Sequence, residues 1–403
     1  MPEFRPFRGL RYDLATLGAA LDAVAAPPYD VIDDVERREL AARDPYNSVR
    51  LILPEGDDPY LQAATDLAAW RAAGVLRLDD EPAFYGYTMT ATGADGAQRR
   101  TRGVLGALAV GEPEEVGILP HERTLPKARS DRLALLTATR ANLDPIWGLT
   151  PATGLGELLD APVAMACLDD DGVRHEFAPI TDTGSITAIE ELVGSAPIVL
   201  ADGHHRFETA KNFAAGDTTP GAGSVMALVV ELAPDELTIR PIHRLITGLP
   251  GGTDLRTLLA PSFDVTDAGP NTAEGLSALE ERMVADGGLG LVDDEGLAFV
   301  APTARTPHPD DFEPPADDTD AARFEAAVAP LLGDASVDYR GGDVTTIASL
   351  VGTPAAQAAM LLRPVSVEQT RQASEAGIRM PQKTTFFWPK PRTGAVFRLL
   401  DES

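Results

Sequence analysis

Residues that can bind an anion stand together at one point of this 403-residue sequence, in the run Asp202, Gly203, His204, His205 and Arg206. The apolar residues 198–201 before the run predict a strand, and the helical spacing of the apolar residues after it predicts a helix that begins at or near His204. Gly203 would allow the sharp turn between the two. The first N–H groups of such a helix, its positive dipole end and the basic side chains would converge on one volume, which suits a phosphate group.

A purely structural interpretation of the same run stays open. Asp202 could serve only as a helix N-cap, the histidines could lie on the surface, and Arg206 could be a salt-bridge partner. Two adjacent histidines cannot both face a core, however, and a helix cap needs no basic triplet behind it. These features favour the anion site.

Other segments carry groups that phosphoryl transfer would need. Glu122 follows a Pro-His turn and is a candidate carboxylate base, while its His-Glu pair lacks the second histidine of a zinc motif. Lys383 precedes Thr384 and Thr385 in a chain that has only four lysines. His243 lies on a predicted strand and could face a substrate cleft or a solvated sheet face. An anion site, a base and a Lys/Thr donor patch together match phosphoryl transfer to a small hydroxyl compound.

The composition limits the partners and the compartment. The formal net charge of −28 opposes general binding to nucleic acid, because the phosphate backbone would be repelled. Cys167 is the only cysteine, which excludes intramolecular disulfides and is compatible with a reducing compartment. Neither a signal-peptide layout nor an apolar run of membrane-spanning length is visible. We therefore expect a cytoplasmic protein with no nucleic-acid or membrane partner, and the sequence leaves the oligomeric state open.

The alternation of helical and strand-like patterns predicts an α+β protein of three modules. We place an N-terminal α/β module at residues 1–110. A core that contains the 202–206 run follows at residues 111–248. A C-terminal α/β module at residues 249–403 contributes Lys383, Thr384 and Thr385.

Several local predictions accompany this organisation. Residues 48–53 are expected to form a strand. Residues 224–232 and 237–246 alternate on either side of a Pro-containing turn and predict a hairpin. His175 stands among polar neighbours and is expected on an exposed strand position. Residues 27–30, Pro-Pro-Tyr-Asp, could form a substrate-facing loop or a structural turn.

The three motifs resemble those of a known group of enzymes. The run from Asp202 to Arg206 resembles the signature of the ParB/sulfiredoxin-like superfamily, and most closely that of the archaeal free L-serine kinases, which phosphorylate serine to O-phosphoserine. Pro120-His121-Glu122 resembles the Pro-His-Glu motif of those kinases. Residues 383–385 resemble their C-terminal Pro-Lys-Thr-Thr segment, and the three motifs occur in the same chain order.

Nearly the whole chain also resembles a bacterial and archaeal family of uncharacterised proteins. That family is marked by the motifs Pro-Pro-Tyr-Asp, His-Glu-x-Thr, Asp-Gly-His-His-Arg and Pro-x-Lys-x-Thr. The second resemblance covers more of the chain than the first, but it carries little functional information.

The resemblance to the kinases implies a ParB/sulfiredoxin-like core, ATP or ADP as the phosphoryl donor, and Mg²⁺. Glu122 would act as base on the acceptor hydroxyl, and Asp202 would hold magnesium or orient the nucleotide. The residues that would bind phosphate or nucleotide are Asp202, Gly203, His204, His205 and Arg206. The residues expected to contact the substrate are His243, Lys383, Thr384 and Thr385.

The chain also departs from the kinases. It has Ile242 and His243 where they place a tryptophan on the strand after the central helix, and Phe386 and Phe387 where they have Arg-His. We therefore expect a nucleotide-dependent phosphotransferase of a small hydroxylated metabolite, with free L-serine as the best candidate. The alternative is a non-catalytic nucleotide-binding regulator of the ParB-like superfamily, which would keep the phosphate site without requiring Glu122.

Overall fold

A computed structural model describes residues 1–93, 96–120 and 129–402. The chain divides into two compact units. The first unit contains residues 1–120, 129–238 and 389–402, so the C-terminal segment returns to the unit in which the chain begins. The second unit contains residues 239–388.

The first unit is built on a mixed sheet that has nine strands within the described residues. In order across the sheet they are Ile118–Pro120, Ile198–Asp202, Ile146–Thr150, Ser224–Glu231, Gln98–Ala109, Phe84–Thr92, Arg174–Ile180 and Met165–Leu168, and Phe4–Arg5 pairs beside Gln98–Ala109. Ile198–Asp202 runs parallel to Ile118–Pro120 and antiparallel to Ile146–Thr150. The strand that leads into the 202–206 run is therefore paired on both sides.

A smaller sheet and several helices complete the first unit. The smaller sheet has the order Leu76–Leu78, Gly9–Tyr12, Phe397–Leu399 and Ala141–Asn142. The helices are Leu14–Leu17, Leu21–Val24, Asp34–Arg43, Val49–Ile52, Pro59–Ala72, Pro113–Val116, Arg129–Thr139, Thr183–Gly194 and His204–Ala214, with 3₁₀ turns at Leu155–Leu158 and Pro220–Gly223. Ile189 and Phe207, from two of these helices, pack with Ile146 and Ile198 of the large sheet in one buried cluster. The helix that carries the histidines is thus fixed to the sheet by its apolar face.

The second unit has its own antiparallel sheet. Its strands, in order, are Phe263–Gly269, Gly296–Pro302, Leu289–Asp293, Ala358–Leu361, Ile242–Thr247 and Ser336–Gly341. Its helices are Leu255–Leu259, Ala273–Asp286, Asp320–Arg323, Val344–Leu350 and Val367–Glu375, with a π-helical turn at Phe324–Val328 and a 3₁₀ turn at Ala329–Leu331. The short strands Thr238–Arg240 and Phe386–Trp388 pair with each other. Among the described residues, no helix combines the length and the apolar character that crossing a membrane would require.

The α+β class is confirmed, and the two units differ from the three predicted modules. The predicted boundary at residue 110 falls inside the first unit, because Gln98–Ala109 pairs with Ser224–Glu231 in one sheet. The predicted boundary at residue 248 lies ten residues beyond the change of unit after Thr238. The boundary at residue 110 was misplaced because strands that are distant in sequence pair in one sheet, and local sequence patterns do not record such pairing.

Three local predictions are wrong. Residues 49–52 form a helical turn rather than a strand, and its start is fixed because Val49 N–H donates to Asn47 Oδ1 at 3.0 Å. The predicted hairpin does not form, since Ser224–Glu231 and Ile242–Thr247 belong to different sheets. His175 is fully buried rather than exposed, and its ring nitrogens bond to other side chains.

Candidate functional site

The predicted strand, turn and helix around the 202–206 run are confirmed. The strand ends at Asp202, Gly203 takes a left-handed backbone conformation with φ of 87°, and the helix His204–Ala214 begins directly after it. Phe207, Ala210 and Phe213 form the buried face of this helix. The side chains of His204 and His205 are half-buried in its first turn.

Gly203 is required for two separate reasons. Its positive φ is one that residues with a side chain rarely adopt. A Cβ atom at this position would also lie 2.9 Å from Cγ2 of Ile146, on the neighbouring strand. The backbone of the turn can therefore pass this close to the sheet only when position 203 is a glycine.

We expect Gly203→Ala to lower the free energy of unfolding by about 2–4 kcal/mol, the sum of backbone strain and overpacking. Gly172→Ala is the matched control, because Gly172 has a φ of 76° but a Cβ atom added there would meet nothing within 4 Å. It should cost only about 1 kcal/mol. Urea denaturation of both variants checks the difference, and equal losses would show that the contact with Ile146 is unimportant.

Asp202 forms an ion pair with a residue from the C-terminal segment. Lys390 Nζ lies 2.5 Å from Asp202 Oδ2, and both side chains are less than one-fifth exposed. Asp202 Oδ1 accepts a hydrogen bond from the Gly203 N–H at 2.7 Å. Burial alone would raise the pKa of Asp202, but the charges of Lys390 and Arg206 outweigh it and hold that pKa well below its usual range. Asp202 is therefore ionised at neutral pH.

Arg206 lies on the same side of the turn and faces several acids. Its Nη1 donates to the Pro145 carbonyl at 2.5 Å, and its Nη2 lies 3.9 Å from Asp202 Oδ1. The Nε is buried and has no hydrogen-bond partner among the described residues. Burial lowers the pKa of Arg206, but Asp202, Asp144 and Asp30 together raise it above its ordinary value. The guanidinium is thus positively charged at neutral pH, and its Nε–H is left without a hydrogen-bond partner within the described part of the chain.

The Pro-Pro-Tyr-Asp loop contributes an aromatic ring beside this guanidinium. The centroid of the Tyr29 ring lies 5.7 Å from Cζ of Arg206 and 4.3 Å from Cζ of Arg132. The ring therefore lies within cation–π distance of two guanidinium groups. Contact of this loop with a substrate stays a prediction.

The C-terminal segment connects the loop to the site. Ala26 and Thr393 exchange two backbone hydrogen bonds, of 3.0 and 2.8 Å, and Ser48 Oγ donates to the Thr393 carbonyl at 3.2 Å. The Thr393 hydroxyl donates to Asp144. Residues 389–393 thus bring Lys390 to Asp202 and Thr393 to Asp144 in one short stretch.

Asp144 is a buried carboxyl group in this cluster. Burial raises its pKa to about 6, against the attraction of Arg206 and Arg132. A carboxyl group whose pKa is raised in the folded state stabilises the fold in its protonated form. That contribution is complete below the unfolded pKa of about 3.9 and is lost as the pH rises through about 6.

We expect Asp144→Asn to change the pH dependence of stability. Asparagine keeps the size of the side chain but does not ionise, so the variant should gain about 2 kcal/mol relative to the parent between pH 4.5 and pH 8. Denaturation curves at the two pH values measure this gain. Asp170→Asn, at a side chain that is 68% exposed, is the control and should show no such gain. An equal effect of Asp144→Asn at both pH values would contradict the assignment.

The predicted substrate residues of the second unit have structural contacts of their own. His243 is fully buried, its Nδ1 accepts from the Leu362 N–H at 3.1 Å, and burial lowers its pKa to about 4. Thr384 is buried and its hydroxyl donates to the Pro381 carbonyl at 2.7 Å. Lys383 has an unusual positive φ of 56°. Contact of these residues and of the half-buried Thr385 with a substrate stays a prediction.

A family comparison places the chain. The model of a family described as a protein of unknown function, DUF1015, matches residues 4–315. The chain belongs to this family. A search of curated proteins matched none.

Several solved structures are similar to this DUF1015 protein at low identity. A mutant of a free serine kinase in complex with AMP is 13% identical, with a TM-score of 0.39 over 71% of this chain and 91% of that one. A conserved hypothetical protein from Pyrococcus furiosus is 11% identical, with a TM-score of 0.38 over 71% and 94%. SbnI from Staphylococcus aureus, with a C-terminal truncation, is 14% identical, with a TM-score of 0.37 over 73% and 87%.

Asp202 is the candidate metal ligand at this turn. Among the described residues, no group of three or more His, Cys, Asp or Glu side chains is placed to hold a metal ion. Mg²⁺ is commonly bound by one or two carboxylates together with the phosphates of a substrate. The ionised Asp202 is compatible with that mode, and its predicted role as a metal ligand stays a prediction.

The sequence patterns did not predict every residue at this turn of the DUF1015 protein. Lys390 and Asp144 were not predicted, although Lys390 is one of only four lysines in the sequence and that scarcity was a usable signal. Asp144 gave no local signal. Glu122, the predicted base, lies outside the described residues.

Proposed function

We propose that the protein is a nucleotide-dependent phosphotransferase that acts on a small hydroxylated metabolite, with free L-serine as the preferred acceptor. The observation that carries this proposal is the turn at Gly203, which sets the ionised Asp202 beside Lys390 and Arg206 at the start of a helix. A helix N-terminus with permanent positive charges favours a bound phosphate. The order of the three kinase-like motifs along the chain supports the same function, and a ParB/sulfiredoxin-like core for the first unit.

Different residues around the turn would bind different parts of the phosphoryl donor. The first turn of the helix, with His204, His205 and Arg206, would bind the phosphates of ATP or ADP by charge-assisted hydrogen bonds. Asp202 would bind Mg²⁺ or orient the nucleotide. When bound, the ion would neutralise charge that develops on the transferred phosphoryl group.

The acceptor side of the reaction is assigned to the other motifs. Glu122 would take the proton of the acceptor hydroxyl while the hydroxyl oxygen bonds to the terminal phosphorus of the nucleotide. The bond from that phosphorus to the bridging oxygen breaks, and the nucleotide leaves with one phosphate fewer. Lys383, Thr384 and Thr385 would hold the amino acid, with His243 as a further contact.

An assay of product formation tests the proposal. The purified protein is incubated with Mg²⁺ and either ATP or ADP against a panel of free amino acids and small alcohols, and products are identified by mass spectrometry. We expect O-phosphoserine together with the nucleotide that has lost one phosphate. Nucleotide binding without any phosphorylated product would contradict the enzyme and favour a nucleotide-binding regulator. The absence of nucleotide binding would contradict both functions.

A further inference from the structure

A buried histidine joins two side chains in the first unit, away from the 202–206 run in sequence. His175 Nδ1 lies 2.8 Å from the Tyr87 hydroxyl, and His175 Nε2 lies 3.0 Å from Asp169 Oδ2. His175 has no exposed surface, and Tyr87 is 1% exposed. Both residues lie on adjacent strands of the large sheet, where apolar side chains would pack without hydrogen bonds.

The partners fix the direction of each hydrogen bond. Asp169 can only accept when ionised, so the proton of the imidazole lies on Nε2. Nδ1 then accepts from the Tyr87 hydroxyl. Burial lowers the pKa of His175, and although Asp169 opposes this shift the net pKa stays below its ordinary value, so the ring is neutral at pH 7. Tyr87 therefore donates to His175, and His175 donates to Asp169.

At its Tyr87 end, this row of hydrogen bonds continues to the C-terminal segment. The Tyr87 oxygen accepts a hydrogen bond from the backbone N–H of Arg392 at 2.8 Å. Arg392 is two residues from Lys390, which pairs with Asp202, and next to Thr393, which donates to Asp144. Tyr87 thus fixes the backbone between the two residues that this segment brings to the site.

We propose that Tyr87, His175 and Asp169 are positioning residues that hold Lys390 against Asp202. They act on Lys390 through the backbone of Arg392, whose N–H donates to the Tyr87 hydroxyl oxygen. A role of Lys390 in phosphate binding rests on the proposed function. The positioning of Lys390 by these three residues is independent of that function.

Tyr87→Phe tests the proposal, with Tyr85→Phe as the matched control. Tyr85 lies two residues away on the same strand and is also buried, but its hydroxyl bonds to the Gly9 N–H and to Asp79, away from the C-terminal segment. Lysines are labelled with acetic anhydride, and the rate at each lysine is read by mass spectrometry. Lys211, whose side chain is 24% exposed, is the internal reference.

We expect Tyr87→Phe to raise the labelling rate of Lys390 relative to Lys211 by roughly three- to tenfold, the change in population that the loss of one buried hydrogen bond produces. Tyr85→Phe should leave that ratio unchanged. An unchanged ratio in Tyr87→Phe, or an equal rise in both variants, would overturn the proposal.

Asp169→Asn is the second variant, and it applies even if Tyr87→Phe does not fold. Asparagine keeps the oxygen that accepts from the Val173 N–H but presents N–H donors where Oδ2 stands, so the proton of His175 must move to Nδ1. The Tyr87 hydroxyl then loses its acceptor. We expect the nitrogen resonances of His175 to report the changed tautomer and the Lys390 ratio to rise. A changed tautomer with an unchanged Lys390 ratio would overturn the proposal.

The affinity for ADP separates this inference from the proposed function. If Lys390 serves phosphate binding, Tyr87→Phe should weaken ADP binding by a factor similar to the rise in labelling. A rise in labelling in a protein that does not bind ADP would leave the positioning role intact and remove the proposed function.

Discussion

Arg206→Ala is expected to weaken the binding of ADP about 100-fold, since a buried charge-assisted hydrogen bond to phosphate contributes about 1.5–3 kcal/mol. The Arg206 side chain is 12% exposed and lies beside the ionised Asp202, and its Nε–H has no hydrogen-bond partner among the described residues. Its removal also leaves Asp202 and Asp144 with less compensating charge. Calorimetric titration with ADP measures the loss, and the unfolding midpoint of the variant is recorded beside it.

Arg140→Ala is the control for this experiment. Arg140 also pairs with two acids, Asp217 and Asp401, but these contacts do not involve the 202–206 run. The variant should bind ADP as the parent does. If Arg206→Ala retains the parental affinity, or if both variants lose it equally, the phosphate site is not at Arg206.

Glu122→Gln is expected to reduce phosphoryl transfer by about 10²–10⁴-fold while leaving the affinity for ADP unchanged. Glutamine keeps the size of the side chain but cannot accept the proton of the acceptor hydroxyl. Initial rates of product formation and calorimetric titration separate the two effects.

Glu112→Gln is the matched control, because Glu112 is an exposed carboxylate that pairs with Lys211. It should keep the parental rate. Full turnover by Glu122→Gln would remove Glu122 as the base. A simultaneous loss of ADP affinity would instead assign Glu122 to nucleotide binding.

The parts of the fold that could be predicted are those fixed by nearby residues. The strand before Asp202, the turn at Gly203 and the helix after it follow from local apolar spacing and from a glycine at the only position that needs a positive φ there. The short segment 49–52, Val-Arg-Leu-Ile, has no distinguishing periodicity, and it forms a helical turn. The pairing of Ser224–Glu231 depends on strands far away in sequence, and no local pattern encodes it.

The same limit applies to the candidate site. His204, His205 and Arg206 could be predicted because they are adjacent in sequence. Lys390 lies 188 residues from the Asp202 that it pairs with, and Thr393 lies 249 residues from Asp144. Such pairs are created by the return of the C-terminal segment to the first unit. His175 was misjudged for a related reason, since its polar neighbours in sequence are not its neighbours in space.

The most direct test of a phosphate site at the 202–206 turn is a titration of the parent protein with ADP and, separately, with adenosine. We assign the binding energy of ADP to its phosphates, which Arg206, Lys390 and the helix N-terminus would hold. We therefore expect saturable 1:1 binding of ADP that is at least about 100-fold tighter than binding of adenosine. Equal affinities for the two ligands, or no binding of ADP, would contradict the central claim that the 202–206 turn is a phosphate site.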